Sequence, residues 1–171
     1  MMLIMLQLRD LPTPEVLKKF AERYPDADVT AIASFLNLLR VATELSLALD
    51  ACLSKHDLLQ GRWWVLILLM REESLSSTPS LLAEKTGVTR ATMTGLIDSL
   101  EQGGLVVRVF DKADRRSVIV KLTEAGQAKL DVVMPDYYRR LRQCMQGLDD
   151  TKREELNQIL GLIQLGIPAL I

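Results

Sequence analysis

The chain has 171 residues, of which 49% are hydrophobic and 25% are charged, and its formal net charge is -1. This composition is typical of a soluble globular protein and excludes the disordered, collagen-like and membrane-embedded classes. The net charge neither favours nor excludes a nucleic-acid partner, because affinity for phosphate depends on where the positive residues cluster.

The cysteine and histidine content argues against a fold built on metals or disulfides. Cys52 and Cys144 are far apart and the chain has one histidine, so we expect no metal site, no disulfide framework and no cofactor. The apolar residues 1–8 lack a basic leader, and the apolar run 63–70 is too short to span a bilayer. We therefore expect a cytoplasmic protein with neither a signal peptide nor a transmembrane helix.

Two helices are predicted in the first third of the chain. Thr13 followed by Pro14 is typical of an N-cap and a first helical position, and Pro25 ends this short helix. Residues 30–53 contain no proline or glycine, and their apolar residues form two adjoining stripes. Such a helix needs cover on more than one side, either within a monomer or from a second copy of the chain.

A third helix is predicted over residues 58–72. Asp57 and Gln60 have the spacing of a capping box at its start. Its strongly apolar sequence indicates that most of it is buried. The polar residues 72–77 that follow are predicted to form a loop.

Two helices are predicted at the C-terminal end. Thr123 is placed to cap a long helix that runs toward Gln146. Thr151 and Glu154 have the spacing of a second capping box, and Pro168 closes the last helix. Long apolar helices therefore flank the middle of the chain on both sides.

The middle of the chain predicts two short helices joined by a tight turn. Thr78 and Pro79 open the first helix, and Gly87 ends it at a turn where glycine most easily adopts a positive φ. Thr89 is placed to cap the second helix, whose apolar residues form one core stripe. This stripe consists of Met93, Leu96, Ile97 and Leu100, and we also expect Leu81, Leu82 and Ala83 to point inward.

The opposite face of the second helix is small and polar. Small side chains let a helix lie deep in a DNA major groove, where hydroxyls and a guanidinium can reach phosphates or base edges. The first-turn amides after the cap add a seat for a phosphate. An ordinary solvated helix surface is the alternative for this face. The face carries Ala91, Thr94, Gly95 and Asp98, and the residues expected to contact DNA are Thr89, Arg90, Thr92 and Thr94.

A β-hairpin with a charged tip follows this helix. Residues 105–110 and 117–122 alternate like half-buried strands, and residues 111–116 form the turn. Two adjacent arginines beside an aspartate suit a narrow minor groove, where negative potential is concentrated and the carboxylate can hold one guanidinium. A tip charged only for solubility is the alternative. The hairpin residues expected to contact DNA are Arg108, Lys112, Asp114, Arg115 and Arg116.

These motifs resemble the MarR family of bacterial winged helix-turn-helix transcription regulators. The similarity covers most of the chain, from about residue 30 to residue 163, whereas the residues before Pro25 exceed the usual family core. It is carried by Leu82-Ala83, Gly87-Val88-Thr89, Leu96-Ile97-Asp98-Ser99-Leu100-Glu101, Gly104-Leu105-Val106, Asp111, Asp114-Arg115-Arg116-Ser117 and Leu122-Thr123-Glu124-Ala125-Gly126.

The resemblance implies a mainly α-helical fold with a small β-wing, and a homodimer built from the first and last helices. It further implies repression at a pseudo-palindromic double-stranded DNA operator, with the helix from Thr89 in the major groove and the hairpin, or wing, in the minor groove. We divide the chain into an N-terminal extension (1–28), a first dimerisation helix (29–56), a DNA-binding domain (57–123) and C-terminal dimerisation helices (124–171).

The resemblance also implies release from DNA by a small molecule, often an aromatic one. Aromatic walls with a polar group suit such a ligand, although buried tryptophans are more often simple core. Oxidant-sensing members of the family carry a reactive cysteine near the start of the helix in which Cys52 lies late, so we expect an inert thiol there. The candidate effector residues are Cys52, His56, Arg62, Trp63 and Trp64.

Two other classes of function remain as alternatives. A winged-helix module that binds proteins would keep the fold without DNA, but it would carry acidic or apolar residues where Arg115 and Arg116 stand. An enzyme is disfavoured because His56 has no second metal ligand or nucleophile at a useful spacing, so we expect no catalytic residues.

Overall fold

The computed structural model describes residues 10–110 and 118–171, and the described fold is mainly helical with a small three-stranded sheet. The predicted fold class is thereby confirmed. The chain divides into two compact units, residues 1–130 and 131–171, and the predicted four-segment division stays a prediction. In chain order the elements are α1 (Pro14–Arg23), α2 (Val29–Ser54), α3 (Gln60–Met70), β1 (Ser76–Ser77), α4 (Pro79–Thr86), α5 (Arg90–Gln102), β2 (Val106–Phe110), β3 (Val118–Leu122), α6 (Glu124–Cys144), α7 (Asp150–Gly166) and a 3-10 helix (Ile167–Leu170).

The first two helices begin where side-chain oxygens cap them. Thr13 Oγ1 accepts a hydrogen bond from the Val16 amide, as predicted, and Asp28 caps α2. Within α2 only Cys52 and Leu53 are buried. This helix is long and apolar enough to cross a membrane by length and composition alone, a test that core helices of soluble proteins also pass. The apolar residues that α2 leaves exposed are thus available to pack against another surface.

The corner between α2 and α3 is built differently from the predicted capping box. Asp57 adopts a left-handed conformation with φ 56°, and Leu59 precedes α3 without a side-chain cap. The cap comes from α2 instead: Asp50 Oδ1 accepts a hydrogen bond from the Gln60 amide at 2.9 Å. Ser46 Oγ also donates to Gln60 Oε1 at 2.9 Å. The local spacing rule fails here because the oxygen that satisfies the amide lies on a neighbouring helix.

The sheet confirms the predicted hairpin and adds a strand. β2 and β3 pair antiparallel from Val106 opposite Leu122 to Phe110 opposite Val118. β1 pairs with the other edge of β3, so the strand order is β1-β3-β2. The loop predicted over residues 72–77 is therefore wrong for its last two residues. A strand of two serines has no alternation from which a sequence could reveal it.

The core of the first unit is formed by α3, α4, α5 and the sheet. Complete burial of one large apolar side chain, such as leucine or methionine, stabilises a fold by about 1.5–3 kcal/mol. The predicted stripe of α5 is confirmed at its buried members, but Leu81 of α4 is 40% exposed, so its expected inward orientation is wrong. Buried members of this core are Trp63, Leu66, Leu69, Leu82, Met93, Ile97, Leu100, Val106, Val120 and Leu122.

Helices α3 and α5 approach each other closely at a glycine. A Cβ atom at Gly61 of α3 would stand 3.0 Å from Leu96 Cδ2 of α5. That separation is shorter than an ordinary carbon–carbon contact, so glycine at this position lets the two helices pack against each other.

The start of α6 is fastened to the start of the wing. Thr123 Oγ1 accepts a hydrogen bond from the Gly126 amide and donates to the Gly104 carbonyl at 2.7 Å, which confirms the predicted cap. The Thr123 amide donates to the Leu105 carbonyl at 3.1 Å. A Cβ atom at Gly126 would stand 2.2 Å from that same carbonyl oxygen. The close approach of these backbones therefore requires glycine at position 126.

In the second unit, α7 begins at a different cap from the one predicted. Asp149 accepts a hydrogen bond from the Lys152 amide at 2.9 Å, so the capping box assigned to Thr151 and Glu154 is wrong. Aspartate competes well with threonine for this position, and it lies two residues earlier. No residue of α7 is buried. Its exposed large apolar residues are Ile159, Leu160, Leu162, Ile163 and Leu165.

Replacement of Gly126 by alanine should destabilise the first unit by about 2 kcal/mol or more, because the new methyl group overlaps backbone that cannot move freely. Urea unfolding followed by circular dichroism measures the change. Gly147→Ala is the matched control, since a Cβ there meets nothing within 4 Å. Equal stability of the two variants would contradict the tight junction between α6 and the wing.

Candidate nucleic-acid interface

Helices α4 and α5 form a helix-turn-helix. Thr78 Oγ1 accepts from the Leu81 amide at 3.3 Å and Thr89 Oγ1 accepts from the Thr92 amide at 3.1 Å, so each predicted threonine cap is present. Gly87 ends α4 with φ 68°, a conformation that costs glycine nothing and other residues about 1 kcal/mol. The turn is thus short and fixed, and it sets the direction in which α5 leaves α4.

The exposed face of α5 is the one predicted from helical periodicity. Arg90, Thr92, Thr94 and Asp98 are all exposed, while Met93 on the opposite side is fully buried. This face therefore combines small side chains with hydroxyl groups on a helix that is anchored from behind.

The threonine hydroxyls of α5 are already oriented by the helix. Thr94 Oγ1 donates to the Arg90 carbonyl at 2.9 Å, and the Thr92 and Thr89 hydroxyl oxygens are 2.9 Å apart. With its proton directed to the backbone, Thr94 presents an acceptor oxygen and a methyl group outward. These groups match the exocyclic amines of adenine or cytosine and the methyl of thymine.

Arg108, predicted as a DNA contact, lies between two carboxylates of α5. Its Nη2 donates to Asp98 Oδ1 and its Nη1 to Glu101 Oε2. The backbone amide of Arg108 also donates to Glu101 Oε1 at 2.8 Å. The side chain is 27% exposed, less than either partner. The structure thus places this guanidinium against the helix, and sequence reasoning missed Glu101 as its partner.

Electrostatics within this cluster favour the ionised carboxylate. The hydrogen bond from the Arg108 amide, joined by that from its guanidinium, holds the pKa of Glu101 below its ordinary value of 4.5. Both hydrogen bonds require the deprotonated oxygen atoms as acceptors. Glu101 therefore stays charged through the neutral range, and Asp98 adds a second negative charge beside the same guanidinium.

The tip of the wing lies outside the described residues. This segment contains Lys112, Asp114, Arg115 and Arg116, whose predicted DNA contacts stay predictions. The described stem reaches Phe110, which is 72% exposed, and resumes at Val118. The hairpin register on either side of the tip is regular, so the stem is a continuation of the sheet that packs against α3.

The candidate effector residues do not converge on one surface. Cys52 and Trp63 are buried, whereas Trp64 is 39% exposed on the neighbouring face of α3. Arg62 Nη1 lies 3.5 Å from Ser99 Oγ of α5, and His56 is half-buried at the corner between α2 and α3. The prediction thus mixes core residues with surface residues, because adjacent positions on a helix point about 100° apart.

A cavity of about 320 Å³ lies at the other end of α3, away from those candidates. Lys85 Nζ donates to Glu72 Oε1 at 2.6 Å within it, and this contact holds the pKa of Glu72 below its ordinary value. The cavity is lined by Leu68, Arg71, Glu72 and Lys85. Across the described part of the chain, no group of three His, Cys, Asp or Glu side chains is arranged to hold a metal ion.

Comparison with known proteins identifies similar sequences and structures. The family model described as MarR family matches residues 56–117, from the corner before α3 to the end of the wing tip. The HTH-type transcriptional repressor YetL of Bacillus subtilis is 27% identical over 156 residues, which make up 91% of this chain and 93% of YetL. The family model thus covers the helix-turn-helix and the first strand of the wing, and it ends just before β3.

Two solved structures share the fold. AbsC, a MarR family transcriptional regulator from Streptomyces coelicolor, superimposes with a TM-score of 0.73 over 80% of this chain and 93% of AbsC, at 24% identity. CouR from Rhodococcus jostii RHA1, solved with bound p-coumaroyl-CoA, has a TM-score of 0.66 over 75% of this chain and 89% of CouR, at 26% identity.

The lowered pKa of Glu101 predicts an acid-sensitive contact. A carboxylate whose pKa falls on folding contributes its full stability above the unfolded value and loses it as the pH drops through the folded value. Glu101→Gln should therefore lose less stability than the wild type on acidification from neutral pH to below 4.5. Denaturant unfolding at a series of pH values measures this, with Glu73→Gln as the control. Parallel curves for wild type and Glu101→Gln would contradict the contact.

Proposed function

Because this chain is similar to regulators of the MarR family, we propose that it belongs to that family of winged helix-turn-helix transcription regulators and represses transcription by binding a pseudo-palindromic operator as a homodimer. It is a DNA-binding regulator, in keeping with its similarity along nearly its whole length to a named repressor. The observation that carries the proposal is the small, hydroxylated outer face of α5, which is held from behind by a fully buried stripe.

The proposed DNA contacts divide between α5 and the wing. Arg90 at the start of α5 would bind phosphate, and Thr92 and Thr94 would meet base edges in the major groove beside the first-turn amides after Thr89. At the wing, cations would enter the minor groove while a neighbouring carboxylate orients one of them. These wing residues are Lys112, Asp114, Arg115 and Arg116.

Homodimerisation would cover the apolar surfaces that each unit leaves exposed. Large apolar patches on a soluble monomer are rare and mark interaction sites. In α2 the exposed fraction is close to one half at Phe35, Leu39, Val41, Leu45 and Leu47, and α7 has no buried residue. A two-fold dimer would also present two copies of α5 to a palindromic site.

We also propose that a small aromatic effector modulates DNA binding. CouR, which is 26% identical to this chain, was crystallised with p-coumaroyl-CoA. In this chain Trp64 offers an exposed ring on α3, and Arg62 on the same helix reaches the α5 residue Ser99. A ligand that contacts Arg62 would act on α5 directly. We propose a cytoplasmic protein without catalytic activity, as befits a regulator.

Selection from a pool of random DNA duplexes tests the DNA-binding proposal. We expect enrichment of a sequence with two inverted half-sites, spaced by about one helical turn. Arg115→Ala/Arg116→Ala should then weaken binding and reduce the slope of log affinity against log salt by about 0.9 per lost phosphate contact. Lys152→Ala is the control, because its charge lies on α7. Failure to enrich any duplex at low salt would favour a protein-binding winged helix instead.

Sedimentation equilibrium tests the dimer. Ile163→Glu places a charge on the exposed apolar face of α7 and should shift the protein to monomer, with a loss of operator affinity of about tenfold or more. Gln164→Glu adds the same charge at the next, already polar position and should leave the dimer intact. A wild-type protein that is monomeric at micromolar concentration would contradict the proposal.

A further inference from the structure

We propose that Arg108 is a positioning residue for DNA recognition, which holds the wing against α5 and makes no contact with DNA itself. The inference rests on the proposed DNA-binding function and reverses the role that the sequence predicts for this residue. It concerns a cluster of three side chains, Arg108 of β2 with Asp98 and Glu101 of α5, which we call the clamp.

Arg108 donates three hydrogen bonds within the clamp. Both terminal guanidinium nitrogens donate to carboxylates, and the backbone amide donates to the second oxygen of Glu101. Asp98 and Glu101 are three residues apart, so they stand one above the other on the same flank of α5. A planar guanidinium can bridge two such acceptors, whereas a lysine ammonium offers a single point of charge.

The clamp joins the two elements that would enter neighbouring grooves. Arg108 is the middle residue of β2, halfway between buried Val106 and exposed Phe110. Arg108 pairs with the buried Val120 of β3, and the next residues of β2, Val109 and Phe110, are exposed. Its anchorage therefore fixes the wing stem at the edge of the hydrophobic core. The direction of the wing relative to α5 decides whether both can engage the same duplex.

The charges of the clamp argue against a direct phosphate contact by Arg108. One guanidinium faces two carboxylates, so the cluster as a whole is negative. An arginine that neutralises a phosphate releases a counterion and contributes to the salt dependence of binding. A guanidinium already matched by carboxylates contributes little to that release. Asp98 is itself 60% exposed on the outer face of α5, so an unmatched carboxylate there would repel the DNA backbone.

The test compares Arg108→Gln, Glu101→Gln and their double variant on the selected operator and on an unrelated duplex, over a series of salt concentrations. We expect each single variant to lower operator affinity by about tenfold relative to the unrelated duplex, without the loss of about 0.9 in salt slope that a lost phosphate contact gives. The double variant should be no weaker than the singles, as coupled residues predict.

Glu101→Gln is the decisive variant because a charge effect and a positioning effect of Glu101 predict opposite changes in operator affinity. Removal of a carboxylate beside DNA strengthens binding if the group acts only through its charge. It weakens operator binding if the group acts by holding the wing. Arg108→Lys gives a second check: it keeps the charge and should behave like Arg108→Gln. Glu84→Gln, an exposed carboxylate on α4, is the matched control.

Three results would overturn the inference. They are a salt slope reduced by about 0.9 in Arg108→Gln, tighter operator binding by Glu101→Gln, and wild-type affinity in Arg108→Lys. Circular dichroism at the assay temperature establishes that each variant is folded, so that lost binding reports positioning. If the wild type binds no duplex at all, the proposed function fails on its own, whereas these three results require a wild type that binds.

Discussion

Burial of the apolar stripe of α5 determines which face of this helix remains exposed. Met93, Ile97 and Leu100 are buried to 1% exposure or less, and their burial leaves only one face of the helix free. Because a helix repeats every 3.6 residues, the free face is then fixed as the small, hydroxylated one. The face of α5 assigned to DNA is thus determined by which residues of the helix are buried. If other residues of α5 were buried, a different face would be exposed.

A second constraint ties the wing to the rest of the first unit. Thr123 and Gly126 bring the start of α6 against the backbone at Leu105, and β1 closes the other edge of β3. The base of the hairpin is therefore held by backbone contacts on two sides. At the edge of the core, where Arg108 lies opposite the buried Val120, the clamp adds hydrogen bonds that tie β2 to α5.

Most of the fold that depends on local rules could be predicted from the sequence, with the exception of the cap of α7, where Asp149 takes the place predicted for Thr151. Threonine caps before α4 and α5, the glycine that ends α4 and the alternation of β2 and β3 all depend on neighbouring residues. Prediction failed where a partner came from elsewhere, as with the Asp50 cap of α3 and the two-residue β1. The site shows the same division: helical periodicity identified the outer face of α5, but it could not reveal that Arg108 is matched by Asp98 and Glu101.

The glycine contact between α3 and α5 limits how the regulator can switch. With Leu96 in the space that a side chain at position 61 would fill, α3 and α5 are in close contact at this point. A displacement of α3 would therefore be passed directly to α5, so that the two helices would move together. Such a movement would change the position of the exposed face of α5 and leave the arrangement of side chains on that face as it is.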